Sequence, residues 1–399
     1  MAGGEGVESK TPGPGLKFHE WAGRRKPVPL SQVLQKYVNL QSALQECPAP
    51  KRCYNACASG GTLMAMWSQK AFLLIVVAVM GLGRPAPSFA QADSAPNSQP
   101  NPYRTIENWA KLPEGRTWGS TSSVGIAPDG SIWVAERCGA NTCAGSNLPP
   151  ILHFDASGKL LRSFGEGMLV FPHGMYVDRE GNVWITDAQG KDGKGQQVIK
   201  FSPEGKVLLV LGKAGVAGDG PDTFNQPSDV VVAPNGDIFV ADGHGAASNA
   251  RIVKFSKDGT FIKAWGKKGS GPGEFNVPHA IAMDSQGRIF VGDRANNRIQ
   301  IFEPDGKFVA EWKDFGRPSD VAIDKNDMIY VNDTQSTDKT NPGFQNGIRI
   351  GSVKDGKVTA FIPQTDPSIG APEGLTADDE GNIYASYTNK FAVRRFVKK

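Results

Sequence analysis

From Thr121 onward the chain repeats one pattern of polar and apolar positions six times. A polar pair, Asp129-Gly130, Glu180-Gly181, Asn235-Gly236, Gln286-Gly287, Asn326-Asp327 or Glu380-Gly381, is followed by an apolar triplet. The triplets are Ile132-Trp133-Val134, Val183-Trp184-Ile185, Ile238-Phe239-Val240, Ile289-Phe290-Val291, Ile329-Tyr330-Val331 and Ile383-Tyr384-Ala385. Turn residues beside β-branched and aromatic residues predict hairpins with two-residue turns. A second turn follows in five units, at Ser157-Gly158, Glu204-Gly205, Asp258-Gly259, Asp305-Gly306 and Asp355-Gly356. Two hairpins per unit make a four-stranded antiparallel sheet. Units begin near Thr121, Pro172, Pro227, Pro278, Pro318 and Pro372, a spacing of 40 to 55 residues. Four strands at that period predict an all-β, six-bladed propeller. The last unit has room for only three strands before Lys399, and the segment Tyr103 to Ala110 resembles the outer strands Lys206 to Leu211 and Thr260 to Trp265. It is expected to complete the last blade and remove an exposed edge. An open solenoid would need capping units at both ends, and none is legible.

Composition changes the picture at the N-terminal end. Of 399 residues, 48 are glycine and 28 proline, as a turn-rich chain requires. Residues 1–63 match nothing in the repeats and are expected to be a disordered or mis-annotated extension. Residues 64–90 read as a signal peptide: Lys70, an apolar run from Ala71 to Leu82, then Ser88-Phe89-Ala90 as a small-x-small cleavage site. The run is short of the ~20 residues a membrane span needs, so an uncleaved anchor is the lesser alternative. A linker, 91–102, would lead into the propeller, 103–399. Ten of the 44 basic residues but only four of the 40 acidic ones precede Gln91, which leaves 34 and 36. The exported part therefore gives no electrostatic reason to bind nucleic acid. A periplasmic or secreted monomer with no membrane span after signal cleavage is expected.

Cysteine usage agrees with export. Cys47, Cys53 and Cys57 lie in the extension and lack a fourth ligand for zinc. Cys138 and Cys143 are close enough to bridge in an oxidising compartment. Their spacing is not the CxxC of redox enzymes, so a structural staple is favoured over a redox-active pair.

The candidate chemistry lies at one repeated position, eight residues before the turn glycine or its equivalent. It holds Ser122, His173, Ser228, His279, Ser319 and Glu373. In a closed ring of six, alternate units lie ~120° apart and their innermost strands line the axis. His173, His279 and Glu373 would form a tripod of metal-ligating groups, suited to zinc or another divalent ion. The plainer alternative is a pair of histidines bonded to buried water. His153, on a third strand, is expected to be ordinary packing.

The fourth unit, from Gly269-Ser-Gly-Pro-Gly-Glu-Phe-Asn-Val-Pro-His279 to Asp293-Arg-Ala-Asn-Asn-Arg-Ile-Gln-Ile-Phe302, resembles an NHL repeat. With Phe171-Pro-His-Gly-Met175, Gln226-Pro-Ser-Asp-Val230, Asp242-Gly-His244, Ser248-Asn-Ala-Arg-Ile252 and Val277-Pro-His-Ala-Ile281, the chain resembles the peptidyl-α-hydroxyglycine α-amidating lyases. The resemblance implies a zinc held by three histidines, of which His173 and His279 match two. The third, in a Pro-His-Asp, is Pro372-Glu373-Gly374 here. Glutamate can ligate in its place, whereas Gly374 removes the aspartate that holds the family's structural calcium. The resemblance also implies that Arg137 is an active-site arginine able to clamp a carboxylate, with a surface pair to Glu136 as the alternative. His244 stands where the family has a catalytic tyrosine and can serve as general base. The implied activity is cleavage of an α-hydroxyglycine-type C–N bond, on a small molecule or a peptide C-terminus, to an amide and glyoxylate. A lactone or ester hydrolase and a non-catalytic NHL binding module are the alternatives. No second domain able to hydroxylate a peptide glycine is read in the chain, so the substrate is expected from elsewhere.

Overall fold

The computed structural model describes residues 97–366, 372–389 and 391–399. The expected extension and signal peptide, with the three N-terminal cysteines, and the first half of the expected linker, 91–96, lie outside the described residues. From Tyr103 the described residues form 24 strands in six four-stranded antiparallel sheets. Strand β1 (Tyr103–Ile106) precedes blade one, which is β2 (Thr121–Ile126), β3 (Ile132–Glu136), β4 (Ile151–Phe154) and β5 (Leu160–Phe164). Blade two is β6 (Pro172–Val177), β7 (Val183–Asp187), β8 (Gln197–Phe201) and β9 (Val207–Leu211). Blade three is β10 (Pro227–Val232), β11 (Ile238–Asp242), β12 (Arg251–Phe255) and β13 (Phe261–Trp265). Blade four is β14 (Pro278–Met283), β15 (Ile289–Asp293), β16 (Arg298–Phe302) and β17 (Phe308–Trp312). Blade five is β18 (Pro318–Ile323), β19 (Met328–Asp333), β20 (Gly347–Ser352) and β21 (Val358–Pro363). Blade six is β22 (Pro372–Ala377), β23 (Ile383–Tyr387) and β24 (Phe391–Lys398), completed by β1.

The apolar triplets lie at the heart of the second strand of each blade and are buried throughout. Their two faces pack against neighbouring blades, so the core is divided among six seams. At the closing seam Val134, Leu152 and Phe154 of blade one meet Tyr384 and Val393 of blade six.

Two local expectations are corrected. The closing strand ends at Ile106, because Asn108 takes a left-handed backbone (φ 52°). The chain then drops Trp109 into the seam, 5.1 Å from the Tyr384 ring and 6.1 Å from that of Phe154. The inner hairpin turns are not two-residue loops. Gly130 N donates to Ala127 O and Ala127 N to Ser131 O, with Gly130 at φ 81°, so one more residue enters the loop. This is a type I turn closed by a left-handed glycine.

Candidate metal centre and its surroundings

Each innermost strand carries a bulge at the repeated position. The register against the second strand slips between Thr121 and Ser123, Pro172 and Met175, Pro227 and Asp229, Pro278 and Ala280, Pro318 and Asp320, and Pro372 and Leu375. A bulged residue leaves the ladder and its side chain is re-aimed. Here Ser122, His173, Ser228, His279, Ser319 and Glu373 are the residues released, and the side chains of the two histidines and the glutamate converge.

Glu373 Oε1 lies 3.5 Å from His173 Nε2 and 3.4 Å from His279 Nε2. Ligands at ~2.1 Å in tetrahedral array are ~3.4 Å apart, so these separations match those around one ion. The remaining ring nitrogens are fixed from behind: His173 Nδ1 meets Ser228 O at 2.7 Å, and His279 Nδ1 meets Ser319 O at 2.6 Å. With Nδ1–H donating to a carbonyl, each Nε2 presents a lone pair to the axis, the orientation found in ligating histidines. Both Nε2 atoms are buried and unpartnered among the described residues. Beside them is a cavity of about 10 Å³, lined by both histidines, Glu373, the three ring serines, Asp229 and Asp320. That is room for one atom the size of a water.

The electrostatics favour ligation. Burial pushes His173, His244 and His279 below the ordinary imidazole value, so all three are neutral near pH 7. Burial pushes Glu373 upward, the charges of Arg294 and Arg137 act against it, and the carboxyl lies below its ordinary value.

Above this floor sit residues from loops that follow second strands. Arg137, next after β3, is 3% exposed and lies with its guanidinium carbon 3.5 Å from the centre of the Phe171 ring. Its Nε donates to Pro172 O at 3.2 Å and Nη1 to Asn141 Oδ1 at 2.9 Å. The alternative of a surface pair with Glu136 does not hold. Glu136 accepts instead from Arg116 Nη2, Gly119 N and Gly139 N. Cys138 and Cys143 are bridged directly after Arg137.

His244 is closer to the tripod than a separate proton acceptor needs to be. One ligand-type atom from each of His173, His244, His279 and Glu373 can be chosen so that all lie within 4.8 Å of one another. Its ring packs edge-on against Phe171 and His173. Arg294 escaped the sequence-based search: Nη1 is 3.8 Å from Glu373 Oε1 and Nη2 donates to His244 O. The available signal was its place directly after β15, the counterpart of Arg137 directly after β3. His153 is packing, as expected. Its ring stacks on Trp133 at 3.9 Å and Nε2 pairs with Ser131 Oγ.

Gly174 and Gly374 follow two of the tripod residues for a steric reason. A Cβ at Gly374 would lie 2.6 Å from Ser123 Cα and 2.7 Å from Ser122 O, and at Gly174 2.5 Å from Ser228 O. An aspartate at 374 has no room beside blade one in this packing.

Residues 222–341 match a family model described as a 6-bladed beta-propeller. The chain is 36% identical over 217 residues to human NHL repeat-containing protein 3, covering 53% of this chain and 59% of that protein. It is 30% identical over 267 residues to peptidyl-alpha-hydroxyglycine alpha-amidating lyase 1 of Drosophila melanogaster, covering 61% of this chain and 48% of the other. The chain thus spans about half to three-fifths of these curated relatives (48% and 59%). A solved gluconolactonase from Xanthomonas campestris superposes with a TM-score of 0.51 at 14% identity, over 74% of this chain and 89% of that one, which speaks to the fold alone. Taken with the strand order and the convergent axis, this makes the chain a six-bladed β-propeller whose sequence relatives include an NHL repeat-containing protein and an amidating lyase.

Proposed function

We propose that this propeller is an exported, metal-dependent carbon-nitrogen lyase that splits an α-hydroxyglycine-type group into an amide and glyoxylate. The observation that carries it is the pair of carbonyl-anchored histidines aiming unpartnered Nε2 atoms at Glu373. His173, His279 and Glu373 would hold the ion, which when bound polarises the substrate's hydroxyl oxygen and eases loss of its proton. Zinc suits two imidazoles and a carboxylate, and other divalent ions share that preference.

The chain's own groups account for the remaining steps. Arg137, held flat on Phe171, presents a guanidinium to the substrate carboxylate. Arg294, with Nη1 3.8 Å from Glu373 Oε1, adds a second positive group. His244, half-buried and held below the ordinary imidazole value by desolvation, accepts the hydroxyl proton. As the C–N bond breaks, its electron pair stays on nitrogen, which takes that proton and leaves as the amide, while the carbon becomes the aldehyde of glyoxylate. The Cys138–Cys143 bridge beside Arg137 supports an oxidising compartment and hence export.

Glu373→Ala is the direct test. Purified wild type should hold one divalent ion per chain and release glyoxylate from an α-hydroxyglycine-terminated peptide, and the variant should lose both. Water incorporation into a lactone or ester product without glyoxylate would move the assignment to a hydrolase. Absence of any stoichiometric ion would leave a binding module.

A further inference from the structure

We infer that His244 is a fourth, exchangeable ligand of this centre, so that at rest three imidazoles and one carboxylate close it and substrate must open it. The inference builds on the proposed metal site at His173, His279 and Glu373, and concerns a residue assigned above only to proton transfer.

Distance comes first. The four ligand-type atoms lie within 4.8 Å of one another. In a four-coordinate, tetrahedral centre ligands at ~2.1 Å are ~3.4 Å apart, so a side-chain movement of roughly 1.5 Å would bring all four into one coordination sphere. The His244 ring packs against those of His173, His279 and Phe171, at centroid distances of 4.4, 5.1 and 5.9 Å.

Anchoring separates the histidines into two kinds. His173 and His279 are each locked by a carbonyl behind Nδ1. Neither ring nitrogen of His244 has a hydrogen bond among the described residues. Its backbone, by contrast, is fixed: Gly243 N and His244 N both donate to Gln226 O, and His244 O accepts from Arg294. A pinned Cα carrying an unanchored imidazole is what ligand exchange requires. The fixed pair holds the ion while the third ring comes and goes.

Exchange also explains how one residue does two things. Were a substrate hydroxyl to take its place, His244 would swing aside with its lone pair freed and stand next to the proton it must accept. The proton then passes to the leaving amide nitrogen, so the ring ends neutral and able to ligate again.

The test uses full-length mature protein stripped with chelator and reloaded with Co(II). Proton NMR should show three sets of paramagnetically shifted imidazole signals, falling to two when glycolate, a simple 2-hydroxy acid, is added. The near-isosteric His244→Gln variant, checked for an unchanged melting temperature, should show two sets from the start. Chelator competition should give it at least ~10-fold weaker Co(II) affinity, the size of effect that even outer partners of a metal site produce. His244→Ala should behave alike. Two sets in the wild type with unaltered affinity in both variants would overturn the inference and leave the metal site standing. Failure of the wild type to take up Co(II) would overturn the metal site itself.

Discussion

Arg137 shows what a single side chain gains from its setting. Burial outweighs the opposing pull of Glu373 and Asp187 and brings its guanidinium down to about 10, so it stays charged near neutral pH with little water around it. A charge-assisted bond from such a group contributes ~1.5–3 kcal/mol. Arg137→Ala should therefore raise KM by about 10- to 100-fold for a substrate with a free carboxylate, and far less for its carboxamide, in parallel initial-rate measurements. Arg137 was legible because it sits in a matched segment, but its burial was not, since charge and neighbours in sequence equally suit a surface pair with Glu136. Arg294 stayed hidden because the sequence search followed one repeat position, whereas the site draws on two.

At the scale of the strand and turn, the inner-strand bulge was invisible in sequence, although the residue it releases was plain. A bulge is a mismatch between two strands, and it shows only when their register is known. Its geometry makes Gly374 intolerant of any side chain. Gly374→Ala should destabilise by ~1–3 kcal/mol, and Gly374→Asp at least as much without gaining calcium affinity, as followed by thermal melting with and without calcium. Asp187, at the end of β7, takes Val170 N and Phe171 N on its two oxygens and so shapes the segment that delivers His173. Burial pushes its carboxyl up to about 6 from an ordinary 3.8, hydrogen bonds and Arg137 notwithstanding. Between those values the folded chain keeps a proton that the unfolded chain has released, so this group weakens the fold as pH rises through the window. Asp187→Asn removes that dependence. The gap in melting temperature between wild type and variant should shrink from pH 4 to pH 6 and level off above.

For the whole molecule, the ring, its blade count and the segment that completes it were all foreseeable, because each blade repeats the same short-range pattern. What failed was the length of the closing strand, decided by Asn108 and by the space at the seam that Trp109 fills. Closure depends on β1 covering β24 through Tyr103–Lys398 and its neighbouring pairs. A chain cut to begin at Glu107 should melt lower and aggregate through the bared edge, measurable by light scattering during a thermal ramp. Replacing both Cys138 and Cys143 by serine should cost about 2 kcal/mol on the chain-entropy model, and glyoxylate production should fall more than stability because the Arg137 loop loosens.

The register slip at the head of every innermost strand makes the axis modular. Because the residue there is outside the hydrogen-bonding ladder, exchanging it removes no rung of the sheet, even where, as at Ser228, the side chain also bonds Ala241 O and Pro278 O, and one scaffold can carry different sets of inward groups. Serine, histidine and glutamate already share that socket in this chain, so new chemistries can be tried one blade at a time without refolding the wheel.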